Sequence, residues 1–141
     1  MKKPKIIVDD FNNVFINGKK AKHMSHTGGI QSGRHCYTDG KIIVKLNDEG
    51  NQSRQEIRLY KKINKKDKKY FGVIVNYDSS KNGWVAVIKE ELKRGRRTDR
   101  EREIIIEMML KYNLNDLWIP TPVNWGVRKS DNCPFIYDFA R

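Results

Sequence analysis

Five sites in this chain carry residue types suited to handling phosphate and its counter-ions. In chain order they are the glycines Gly28, Gly29 and Gly33 within a strand-turn-strand, Lys45 at the end of "IIVKL", Glu56 in the next helix, Asn124 opening "NWGV", and Asp138 closing "IYDFA". A glycine-rich turn lets backbone N–H groups close over an anion without side-chain obstruction. Lysine is a compact cation, and Asp and Asn present the oxygen atoms that hard cations take. Taken singly, each site also has a plainer reading. The glycines serve a loop, Lys45 is a solvated strand-end lysine, and Glu56 is an exposed helical acid beside Arg58 and Lys61. Asn124 caps a turn, and Asp138 is a solvated acid near the last residue.

The elements that must position these residues can be read from patterning. "PKIIVDDFNNVFINGKKAK" reads as two strands, with Asn17-Gly18 as a hairpin-type turn. "RHCY" and "KIIVKL" read as strands joined by Thr38-Asp39-Gly40. "SRQEIRLYKKINKKD" is helical, with Ile57, Tyr60 and Ile63 on one face. "YFGVIVNYD" and "GWVAVIKE" are strands around "SSKNG". "EREIIIEMMLKYNL" is a helix with a wide apolar face, stopped by the loop that holds Pro120 and Pro122. "NWGVRKSDNCPFIYDFA" closes as two strands around a polar turn. The order β-β-β-β-helix-β-β-helix-loop-β-β predicts an α+β fold, an antiparallel sheet with a helix across it, in one domain.

The sites and their order resemble the protein-kinase-like fold, including its small bacterial and phage relatives, from about Met24 to the C-terminus. The resemblance implies a small lobe and hinge over about 1–90, an antiparallel sheet plus one helix. A truncated large lobe of one long helix and a β-hairpin would span about 91–141. In that fold the glycine turn covers the phosphates of ATP, a strand lysine contacts them, and a helical glutamate holds the lysine by an ion pair. An Asn and an Asp hold magnesium. By resemblance, Gly28, Gly29, Gly33, Lys45 and Glu56 would bind ATP, and Asn124 and Asp138 would bind Mg. The spacing of "NWGV" and "DFA", with the strand "PFIYD" between them, is the most specific part of the match.

The pattern departs from a working kinase in two places. The catalytic Asp of that family lies about five residues before the metal-binding Asn, and here that position is Ile119. The nearest acid is Asp116, which becomes the candidate base. The chain also continues only to Arg141, which leaves no activation segment or peptide platform in the sequence. A pseudokinase acting by binding a protein or polyanionic partner is the leading expectation. Its size and style suggest a phage-encoded modulator of a host enzyme or defence system. An active ATP- and Mg-dependent small kinase is the first alternative, and a basic nucleic-acid-binding module is the second. A truncated lobe would expose apolar surface that a homodimer covers.

Charge supports a polyanion partner. The chain has 141 residues, a formal net charge of +12 and a sequence pI near 9.8. The densest basic runs are "KKINKKDKK" and "KRGRRTDRER". Arg94, Arg96 and Arg97 are the candidate polyanion contacts, with Tyr70, Phe71 or Trp84 nearby for stacking. Solvated faces are the plainer account of both runs. Cys36 and Cys133 stand far apart, and the three histidines cluster at the glycine-rich end, so no zinc-type spacing is visible. No apolar run reaches membrane-spanning length, and the expectation is a soluble, cytoplasmic protein without membrane contact.

Overall fold

The structure, a computed structural model, describes residues 2–24, 35–46, 52–114, 125–137 and 139. Its described elements are α+β, with antiparallel sheets and two α-helices. The chain divides into two compact units, one made of Met1–Ile57 and Ile74–Lys89, the other of Arg58–Val73 and Glu90–Arg141.

The first unit opens with β1 (Ile6–Val8), β2 (Val14–Ile16) and β3 (Lys19–Lys20), an antiparallel three-stranded sheet. The β1–β2 turn is built by Asp9, whose carboxylate accepts from the backbone N–H groups of Phe11 and Asn13 and from the Asn13 side chain. Asn17-Gly18 forms the β2–β3 turn, both residues at positive φ (52° and 85°), as the sequence predicts for a hairpin of this kind. β4 (Lys22–His23), β5 (Cys36–Thr38), β6 (Ile42–Leu46), β7 (Ile74–Asp78) and β8 (Trp84–Ile88) form a five-stranded sheet in the order β4-β5-β6-β8-β7. Six strands precede the first helix where patterning gives four. The additional ones, β3 and β4, are two-residue polar strands too short to show an alternation.

β6 is central, and its alternation decides what its two faces do. Ile42, Val44 and Leu46 pack with Val14, Ile16, Ala21 and Ala86 in the larger core, beneath the three-stranded sheet. The opposite face carries Ile43, which packs with Val85, Val87, Ile74 and Ile57 of helix α1 (Gln52–Lys62). Lys45 shares this second face, because side chains two apart on a strand point the same way. Helix α1 ends sooner than "SRQEIRLYKKINKKD" suggests, at Lys62. The following turn is closed by the Asn64 side chain, which accepts from the Asp67 N–H, a local bond that competes with helix.

The second unit holds a short 3₁₀ turn (Lys68–Tyr70), helix α2 (Asp99–Lys111) and the hairpin β9 (Trp125–Val127) with β10 (Pro134–Ile136). Helix α2 starts before the apolar run, at a capping box. Thr98 accepts from the Glu101 N–H while the Glu101 carboxylate accepts from the Thr98 N–H. Its buried face is Ile105, Met108 and Met109, at helical spacing, with Leu114, Trp125, Phe135 and Ile136 also buried in this unit. Arg128 is nearly enclosed. It pairs with Glu90 and Asp131, donates to the Lys69 carbonyl and lies over the Phe135 ring. No helix among the described residues is long and apolar enough to cross a membrane.

Candidate functional site

Lys45 and Glu56 meet. The Lys45 Nζ lies 3.5 Å from each carboxylate oxygen of Glu56, with side-chain exposures of 11% and 0%. At that separation the contact is an ion pair straddling the carboxylate rather than a tight charge-assisted hydrogen bond, which is shorter by more than half an ångström. Two features hold it. The register places Lys45 between Cys36 and Val85 on the central strand, so its stem is walled by sheet. Ser53, fully buried in the first turn of α1, hydrogen-bonds the Lys45 carbonyl at 3.2 Å and ties the helix start to the end of β6. Glu56 follows three residues later on the same helix, and i and i+3 share a face.

Both residues therefore depart from their plainer readings: Lys45 is not a solvated strand end, and Glu56 is not an exposed helical acid. A buried lysine and glutamate are tolerated only as partners, since either charge alone in an apolar surrounding is costly. The pair supplies a fixed cation on the helix-covered face of the sheet and a carboxylate that orients it. Such a cation can serve an anionic ligand, above all phosphate.

Phe139 is the described member of Asp138-Phe139-Ala140. It is 1% exposed and set edge-on to Phe71, ring centroids 5.3 Å apart, and stacked near Tyr60 at 6.3 Å. Tyr60 lies on α1, four positions after Glu56. Gly28, Gly29, Gly33, Asp116, Asn124 and Asp138 lie outside the described residues.

The three arginines assigned to polyanion contact separate in the structure. Arg94 and Arg96 are exposed. Arg97 is engaged: its guanidinium donates to the Trp125 carbonyl at 2.9 Å and covers the Trp125 ring at 4.4 Å. Of the aromatics considered for stacking, Phe71 is fully buried and Trp84 packs beside the core of the first unit.

A second polar cluster was not foreseen. Asp67 accepts from the Tyr112 hydroxyl and pairs with Lys111 at 2.7 Å. The Lys111 hydrogen bond, then that of Tyr112, holds the Asp67 carboxyl below the usual carboxylate range. Burial, and then Asp67, pushes the Tyr112 phenol up, and Asp67 raises Lys111. The lone Asp within a lysine run was the available signal, because an acid there is in demand as a partner. Among the described residues no group of three or more His, Cys, Asp or Glu is gathered as for a metal ion.

No protein-family model, curated protein or solved structure matches the chain.

Proposed function

We propose that the chain is a kinase-like nucleotide-binding protein that acts through binding rather than by phosphorylating proteins. The buried Lys45–Glu56 pair is the observation that carries this reading. In protein kinases the phosphate-contacting lysine stands on the third strand and is held by a glutamate of the following helix. Here β6 is the third strand, in chain order, of the five-stranded sheet, and α1 is the next element. The burial of Phe139 against Tyr60 of α1 is further support, since the Phe after the metal-binding Asp is a packing residue in that family.

On this reading the kinase resemblance assigns ATP to the Gly28, Gly29 and Gly33 segment and to Lys45. Magnesium, which neutralises phosphate charge, would rest on Asn124 and Asp138. Transfer to a protein hydroxyl lacks support because Ile119 stands where the family has its base. Turnover would have to use Asp116.

The test is thermal unfolding with ATP, with and without magnesium, in wild type, Lys45→Ala and Asp138→Ala, each compared with its own ligand-free midpoint. Ligand at a hundred times Kd stabilises by about 2.7 kcal/mol, which for a chain of this size moves the midpoint by roughly 5–15 °C. A magnesium-dependent rise in wild type, lost in both variants, supports the proposal. A wild-type midpoint unmoved by millimolar ATP and magnesium overturns it.

A further inference from the structure

The positive charge is concentrated. Residues 58–73 hold seven Lys or Arg and one acid, so this sixteen-residue stretch carries half of the chain's +12. In the structure it is the second half of α1, the turn after it and the 3₁₀ turn Lys68–Tyr70. Its apolar residues turn inward, with Ile63 at 3% and Phe71 at 0% exposure. Arg58, Lys62, Lys65, Lys66 and Lys69 are all exposed.

The one acid does not offset them at the surface. Asp67 is buried, and its charge is taken by Lys111 and Tyr112. Lys61 and Lys62 have a local reason to be basic, since cations stabilise a helix C-terminus. Beyond the helix end, Lys68 and Lys69 lie over the Tyr60 and Tyr70 rings, and Lys65, Lys66 and Lys69 stay exposed within five positions of one another. A merely solvated face mixes signs.

We propose that this face, formed by Arg58, Lys62, Lys65, Lys66 and Lys69, binds the phosphate backbone of nucleic acid. An acidic protein is the competing partner, and the surface composition argues against it. Protein interfaces centre on exposed apolar or aromatic anchors. The large apolar side chains exposed among the described residues are Ile7, Phe11, Tyr77, Leu92, Ile106 and Leu110, and none lies in 58–73. Lysines without such an anchor suit a ligand recognised by charge, and the binding is sequence-independent and salt-sensitive. This inference stands apart from the nucleotide reading, because none of its residues belongs to that site.

The experiment uses the full chain and fluorescent single- and double-stranded 20-mers of mixed sequence, with affinity read by anisotropy at 50 and 200 mM KCl. Four to five phosphates neutralised give a slope of roughly −3 to −4.5 in log–log form, so the fourfold rise in salt weakens binding about 50- to 500-fold. Charge reversal by Lys65→Glu, Lys66→Glu and Lys69→Glu together is expected to weaken binding more than 100-fold. The same number of reversals at exposed lysines of the first unit, Lys2→Glu, Lys3→Glu and Lys19→Glu, is expected to weaken it less than tenfold.

Equal losses in the two triple variants would show that net charge alone acts, and would overturn the proposal. So would a salt slope shallower than −1 in wild type, which needs no variant to fold. Equal affinity for polyglutamate or for vesicles containing phosphatidylserine would overturn it in favour of a general anion surface.

Discussion

Replacing Lys45 by Met keeps the unbranched stem and removes the charge, so the buried Glu56 loses its ion pair with Lys45. At 3.5 Å and an effective dielectric constant near 20, the lost attraction is about 5 kcal/mol. The single variant should therefore lose roughly 3–5 kcal/mol, the range found when one member of a buried pair is removed. Lys45→Met with Glu56→Leu removes both charges and fills the space with apolar atoms. Exchanges of that kind are commonly neutral or stabilising, so the double variant should lie within about 1 kcal/mol of wild type or above it.

The assay is urea unfolding at pH 7, followed by far-UV circular dichroism, in wild type, both single variants and the double. The coupling between the two sites is the decisive quantity. Single-variant losses below 1 kcal/mol, or a double-variant loss equal to their sum, would refute the reasoning that burial makes these charges interdependent. The double variant also separates stability from function. If the pair is kept for a ligand, the apolar version folds as well as wild type yet shows no magnesium-dependent response to ATP.

Two further outcomes follow from local geometry. The Asp67 carboxyl is held below its ordinary value of 3.8, so its contribution is fully present above that value and disappears as pH falls through the lowered one. Asp67→Asn should lower the thermal midpoint at pH 7, and the gap to wild type should narrow as pH falls below 3.8; an unchanged gap in acid would refute the ion-pair account. Lys111 and Tyr112 are raised, so wild type should lose the same contribution as pH rises past their ordinary values of 10.5 and 10.0. Gly83, between β7 and β8, tests backbone packing: a Cβ there would overlap the Asp78 carbonyl, so Gly83→Ala should cost about 1–3 kcal/mol in urea unfolding, and a neutral substitution would contradict that close approach.

What the sequence disclosed depended on how local each cause is. Asn17-Gly18 and Gly40 announce their turns because the positive φ they adopt is favoured by those residue types themselves. The start of α2 was equally local, since Thr-x-x-Glu at Thr98 and Glu101 is a capping box in the sequence, although the apolar run drew the boundary later. Lys45 and Glu56 are eleven positions apart, and only their register across β6 and α1 makes them partners. Composition alone left each of them a surface residue, and it was the order of sites that suggested a pair. Arg97 shows the opposite limit. Within "KRGRR" it is indistinguishable from Arg94 and Arg96, yet a chain segment 28 positions away turns it into a packing residue on Trp125. Asp67 shows the same in a lysine run, where Tyr112, 45 positions on, withdraws the one negative charge from the surface. Counting charges gave the sign and size of the basic excess. Which cations face water was decided by long-range contacts, which engage Arg97 on Trp125 and bury Asp67, while Lys65, Lys66 and Lys69 stay exposed.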